Sequence, residues 1–214
     1  MPCLALIDAD FSYISNKKIK IGVIKNYGAI IGYFSKMPNG KNLINTHDAG
    51  REIQQSYYME ETITLDDDIA RIKFKFSYFG TNNYAPIHQE LPAVFVDAEY
   101  DTLVFYSGKK LWVNDKLTKK IPKFPNEEIC SYENWNAYVK NDYGIGVYTP
   151  GTDRVTCYRY LRDSTNKPID LSCSYFAPVR TMAISSNFVY EYDVYLTIGK
   201  IEEIRARFYK IHKK

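Results

Sequence analysis

Three short stretches concentrate the side chains that could carry chemistry. The first is "NLINTHDAGREIQQSYY", residues 42–58, with His47, Asp48, Arg51, Gln54, Gln55, Tyr57 and Tyr58. The second is "APIHQELPAVFVD", where His88, Gln89 and Glu90 enter an apolar run. The third is "SYENWNAYVKNDYGIGVYTPG", with Glu133, Asn134 and Trp135. Sugar rings present apolar C–H faces that stack on aromatic rings, while carboxylates and amides take their hydroxyls. This mixture suits carbohydrate. Glu90 is the candidate general acid or base, because a carboxyl at the mouth of a buried strand loses water and its pKa rises. Glu133 is its candidate carboxylate partner, His47 or His88 an auxiliary proton carrier, and Arg51 the group that steadies negative charge. Asp48, Gln54, Gln55, Tyr57, Gln89, Asn134 and Trp135 are the candidate substrate-binding residues.

Each stretch also has a plain structural reading. Asp48 can pair with Arg51 and fix a turn, with the glutamines solvated. Glu90 can pair with a nearby Lys or Arg. A single strand tryptophan is more often core than platform. Trp135 is preferred to Trp112 as a platform because polar residues flank it.

Searches for other chemistry return little. No Walker-type loop or GxGxxG occurs, and no CxxC pair. With only His47, His88 and His212, a metal site would need both early histidines and a carboxylate. No metal and no cofactor are expected. "LDDD" at 65–68 reads as a charged turn rather than a calcium loop. Cys3, Cys130, Cys157 and Cys173 have no framework spacing, and Cys157 and Cys173 read as buried thiols.

The elements that must position these residues are strands. "IARIKFKFSYF" alternates, with Ile72, Phe74, Phe76 and Tyr78 on one face and Arg71, Lys73 and Lys75 on the other. "KIKIGVI" and "GAIIGYF" form a hairpin across "KNYG". "LPAVFVD" and "TLVFYSG" follow across "AEYD". "NWNAYV" pairs with "GIGVYTP" across "KNDYG", with Gly144 offered for the positive φ. In that pair Glu133, Trp135, Ala137 and Val139 share one face, and Asn134, Asn136 and Tyr138 the other. "RVTCYRYL", "DLSCSYF" and "FVYEYDVYLTIG" complete the strands, and "KKIPKFPNEEIC" reads as a loop. Only "KIEEIRARFYKIH" has helical spacing, through Ile201, Ile204 and Phe208. The expectation is an all-β fold, an antiparallel β-sandwich with one short C-terminal helix, in a single domain over residues 1–214.

Composition agrees. Apolar residues are 45% of the 214 and charged residues 25%, which permits a core and argues against disorder. The net charge of +3 is small and its basic residues are scattered, so no nucleic-acid partner is expected. No segment approaches a membrane span. "MPCLALIDADF" lacks a basic region before its apolar run, so a cytoplasmic location is the default. An incomplete N-terminus would make it extracellular instead. The twenty tyrosines suit both strands and sugar contacts.

The three stretches, in this order, resemble a largely uncharacterised family of carbohydrate-associated β-sandwich proteins in bacteria and some protists. Their sandwich is similar to the mutarotase-like supersandwich. The resemblance runs from "IKIGVIKNYGAIIGYFSK" to "VYEYDVYLTIGKIEEIR". It implies a carbohydrate context and no defined reaction. Hydrolysis of a polysaccharide by paired carboxylates, eliminative cleavage by a His with an Arg, a non-catalytic glycan-binding module and a purely structural sandwich all remain open. In one respect the chain departs from its relatives. They carry a long Trp- and Gly-rich insertion after "QQSYY", whereas here Tyr58 runs almost directly into "ETITLDDDIARIKFKF". If that insertion builds the cleft, this chain keeps the scaffold without the catalysis.

Overall fold

A computed structural model of the chain describes residues 10–27, 30–45, 57–113, 115–162 and 172–214. In chain order its strands are β1 (Phe11–Ser15), β2 (Ile19–Ile24), β3 (Ile30–Lys36), β4 (Tyr57–Asp66) and β5 (Ile69–Tyr78). Then come β6 (Tyr84–Glu90), β7 (Val94–Asp97), β8 (Thr102–Phe105), β9 (Thr118–Lys120) and β10 (Glu127–Cys130). The last are β11 (Trp135–Lys140), β12 (Tyr143–Tyr148), β13 (Arg154–Tyr160), β14 (Cys173–Ile184) and β15 (Val189–Lys200). One helix, α1 (Ile201–His212), follows.

The strands form three antiparallel sheets. A seven-stranded sheet runs β4-β5-β15-β12-β11-β8-β9. A five-stranded sheet runs β10-β13-β14-β6, with β7 also on β14. A small sheet holds β1, β2 and β3. The fold is the all-β sandwich that the alternation predicts. Its main core gathers the inward residues of all three sheets. Ile72 and Phe74 come from β5, Val194, Leu196 and Ile198 from β15, Val155 and Cys157 from β13, Phe176 from β14, and Ile21 and Phe34 from the small sheet. The outward residues of β5 pair with their neighbours, as in Arg71–Asp193, Lys73–Glu191 and Lys75–Glu60.

A second core lies outside the seven-stranded sheet. Ile201, Ile204 and Phe208 of α1 cover Val104, Trp135, Ala137, Val139 and Tyr148. Gly146 makes room for the helix. A Cβ there would meet Ile204 Cγ2 at 2.4 Å and Phe208 Cε2 at 3.0 Å.

Some local expectations need correction. The β11–β12 turn takes its positive φ at Asn141 (50°) and Asp142 (67°), not at Gly144. Gly144 is needed for space, since a Cβ would sit 1.9 Å from the Tyr138 carbonyl oxygen. "AEYD" joins its two strands as expected and carries the chain from one sheet to the other, since β7 pairs with β14 while β8 pairs with β11 and β9. The segment read as a loop, "KKIPKFPNEEIC", supplies the short strand β10, and its first two lysines end β9.

Candidate functional site

Strand β6 organises the site. Its residues pair with β14 as His88↔Thr181, Gln89↔Arg180 and Glu90↔Val179. Alternate side chains point to opposite faces of a strand. His88 and Glu90 therefore share the outer face of the five-stranded sheet, and Gln89 lies on the inner face with Arg180.

On the outer face the Tyr175 hydroxyl donates to Oε2 of Glu90 at 2.5 Å. Burial pushes the Tyr175 phenol far up, and its bond to the Glu90 carboxylate adds to this, so the proton stays on tyrosine. His88 lies beside it. Its Nδ1 is 2.7 Å from Thr181 Oγ1, and its Nε2 is 3.5 Å from Nη1 of Arg154. A guanidinium only donates, so Nε2 is the accepting nitrogen and the Nδ1–H donates to Thr181. Arg154 is fixed by Glu128, its Nη2 lying 2.8 Å from each carboxylate oxygen. An aromatic strip continues the face. Tyr175 stacks on Tyr158 (4.5 Å between centroids) and Tyr158 meets Phe124 (5.7 Å). Phe124 also meets Tyr160 (5.5 Å), and is itself 62% exposed.

The third stretch is placed elsewhere. Glu133 is 1% exposed and lies beneath α1. Arg205 donates to it through Nη2 (2.6 Å) and Nε (3.0 Å). The Trp135 indole N–H (2.8 Å) and the Trp112 backbone N–H (2.7 Å) supply two more bonds. Both carboxylate oxygens are thus committed to joining helix, sheet and loop. Trp135 is completely buried in the same layer, so no face of its ring is offered to a ligand. Glu133 and Glu90 are not brought together. They belong to opposite outer layers, with the main core between the sheets. Asn134 has a φ of 59°, and its Oδ1 accepts from the Gly151 N–H at 3.2 Å. It helps line an open pocket of about 600 Å³ with Tyr132 and Asp153.

Tyr57 lies on the inner face of β4, its ring 5.0 Å from that of Tyr78 and 5.5 Å from that of Phe76. His47, Asp48, Arg51, Gln54 and Gln55 fall outside the described residues. Among the described residues no group of three or more His, Cys, Asp or Glu side chains could hold a metal ion. No described helix is long and apolar enough to cross a membrane. Tyr175, Thr181, Arg154 and Glu128 are partners that the motifs alone did not disclose. Strand parity could have indicated Tyr175, once β14 was known to pair with β6 and β7.

Solved structures share this fold, which is similar to that of mutarotase-like proteins. A galactose mutarotase related enzyme from Lactobacillus acidophilus aligns with a TM-score of 0.55 at 8% identity, over 88% of this chain and 97% of that one. An Escherichia coli K12 protein provisionally assigned as an aldose 1-epimerase aligns with a TM-score of 0.56 at 9% identity, over 90% and 99%. A protein of Synechocystis sp. PCC 6803 gives 0.52 at 6%, over 94% and 100%. At these identities the mutarotase-like likeness is one of fold. In sequence, no family model and no curated protein matches the chain.

Proposed function

We propose that the outer face of the five-stranded sheet binds carbohydrate, and that Glu90 and His88 act there as an acid–base pair. The observation that carries this reading is the set Tyr175–Glu90–His88–Arg154 on one open face, continued by an aromatic strip. The mutarotase-like fold supports it, since two of the similar structures are described as mutarotase- or epimerase-type proteins. Opening a sugar hemiacetal needs one group to take the anomeric hydroxyl proton and another to protonate the ring oxygen. Glu90 is the base in this reading, with Oε2 held by Tyr175. His88 is the acid when Nε2 carries a proton in place of its contact with Arg154, and Thr181 holds the ring through Nδ1. Tyr158 and Phe124 receive the apolar face of the sugar. Hydrolysis by a Glu90–Glu133 pair does not enter, because Glu133 is committed beneath α1.

The second reading is a glycan-binding face without catalysis. The exposed Phe124 and the half-buried Tyr158 favour it, being the kind of platform that binding modules use.

Polarimetry on freshly dissolved α-galactose and α-glucose tests the first reading, with Glu90→Gln and His88→Ala as controls. A digest of a mixed polysaccharide panel, read by mass spectrometry, runs in parallel. Products with water added report hydrolysis, and unsaturated products report elimination. An accelerated approach to anomeric equilibrium, lost in both variants, supports acid–base catalysis. No turnover, with glycan retention that Phe124→Ala and Tyr158→Ala abolish, leaves the binding reading. Neither turnover nor retention by folded protein overturns both.

A further inference from the structure

The inner surface at one end of the sandwich carries groups that the outer face does not use. Glu61 of β4, Phe74 of β5 and Tyr192 of β15 are successive cross-strand partners, so their side chains form one row. Met59, Phe76 and Tyr190 form the next. Tyr192 stacks on Phe74 (5.0 Å) and on Tyr190 (5.7 Å). From the facing sheet Arg180 of β14 reaches across. Its guanidinium carbon is 5.5 Å from the Tyr192 ring centre and 5.8 Å from that of Tyr190. Its Nη2 donates to the Pro150 carbonyl at 3.3 Å.

Among the described residues, two buried polar atoms here have no hydrogen-bond partner: Oε2 of Glu61 and Nε of Arg180. Buried polar groups in folded proteins are nearly always paired. Both side chains act on the same phenol. Burial raises Tyr192 most, Glu61 raises it further and Arg180 lowers it, so the two orphans flank one tyrosine. Burial alone also holds the Glu61 carboxyl up at about 7. Its strand neighbour Glu60 points to the opposite face, where it pairs with Lys75 at 3.1 Å. Along its row Glu61 faces Phe74 of β5 and then Tyr192 of β15, and Arg180 of β14 lies over the Tyr192 and Tyr190 rings from the opposite sheet. Among the described residues the site therefore offers a guanidinium without a carboxylate, a carboxyl that is readily neutral, and stacked aromatic rings.

We propose that this end of the sandwich binds a monoanionic sugar ring, a hexuronate, with its carboxylate on Arg180, its ring on Tyr190 and Tyr192, and a hydroxyl at Glu61. Gln89, the partner of Arg180 across the β6–β14 pair, supplies an amide on the same face. One half-buried guanidinium balances one negative charge. A phosphate, with nearly two, would leave an excess beside Glu61. An anion next to Glu61 favours its protonated form, so binding takes up a proton near neutral pH and strengthens as pH falls from 8 to 6. The inference borrows from the proposed function only the sugar ring, and it uses no residue of the outer face.

Calorimetric titration of the full chain tests it, using galacturonate, glucuronate, galactose, glucose and galactose 1-phosphate at pH 6, 7 and 8. At least one uronate is expected to bind about tenfold or more tighter than its neutral counterpart, which is about one factor-of-ten step in free energy. Arg180→Gln removes that preference, and Arg180→Lys keeps part of it. Titrations in two buffers of different ionisation enthalpy show proton uptake at pH 7 that Glu61→Gln abolishes. Glu90→Gln leaves the uronate preference and its dependence on Arg180 unchanged, which separates a failure here from a failure of the outer-face reading. Equal affinity for uronate and neutral sugar overturns the proposal, as do tighter binding of the phosphate and no uronate binding at all. So does wild-type affinity in folded Arg180→Gln, or in Arg180→Lys should the first variant not fold.

Discussion

Glu61→Gln should change how stability depends on pH. Burial holds the Glu61 carboxyl at about 7 in the folded protein, against an ordinary value of 4.5. The unfolded chain releases that proton earlier than the folded chain does. Folded stability therefore falls as pH rises from about 4.5 to about 7, and this contribution is flat beyond both limits. Each pH unit of displacement is worth about 1.4 kcal/mol. The displacement from 4.5 to about 7 therefore gives a total of about 3 kcal/mol. Glutamine is neutral throughout and nearly the same shape, so the variant lacks this slope. Urea unfolding of both proteins at half-unit steps from pH 4.5 to 8 measures it, provided their m-values agree. All other carboxylates titrate in both proteins, and subtraction leaves Glu61. The stability of Glu61→Gln relative to wild type should climb by about 3 kcal/mol across the window. Parallel curves, or a gap that widens toward acid, would refute the reasoning that burial without a counter-charge governs this group.

Other perturbations probe the rest of the structure. Arg205→Met leaves the Glu133 carboxyl buried without its guanidinium, and should cost about 3–5 kcal/mol in urea unfolding. The same change should alter Trp112 fluorescence, since Glu133 also holds the Trp112 backbone, whose φ is 58°. In native protein iodoacetamide should modify the exposed Cys130 and spare the buried Cys157 and Cys173. Burial keeps the Cys157 thiol up at about 11, so its thiolate is scarce as well as hidden, and peptide mapping reads the difference. Asp142→Ala should destabilise by about 1–2 kcal/mol, because alanine tolerates the left-handed region poorly, while Asp142→Gly should cost less. Thermal unfolding compares the two.

Much of the architecture was legible in the chain itself. Period-two runs such as Ile69–Tyr78 and Val189–Lys200 need no context to be strands. The three-and-four spacing of Ile201, Ile204 and Phe208 marks the buried side of α1. What escaped reading was polar or proline-marked. β6 contains Pro86 and the "HQE" run, yet among the described strands it is an edge strand, with no neighbour on one side to need the missing N–H. β10 sits behind Pro122 and Pro125.

The site was harder for a physical reason. Alternation groups Glu133 with Trp135 and Ala137, but it does not say what covers that face. The cover is a helix some seventy residues later, and it turns a candidate platform and its carboxylate into packing and a brace. Trp112, ranked below Trp135 from its flanks, is the one left half-buried. Glu61 went unnoticed because a carboxylate at an inward position breaks the apolar pattern that marks an inner face. Its neighbours Ile63 and Leu65 on β4 do follow that pattern.

Strand β6 has one more consequence. Its odd and even residues serve two different surfaces, so the surfaces are distinguished only by counting parity. Inserting or deleting one residue in β6 upstream of His88, without a compensating bulge, would move the imidazole and Glu90 to the inside and Gln89 to the outside. Sequence content would hardly change, yet the proposed outer surface would lose His88 and Glu90 and the proposed inner one would lose Gln89. A two-residue change would restore both orientations, displaced by one pleat repeat along β14. Length variation among relatives at this edge should therefore come in even steps, wherever both surfaces are in use.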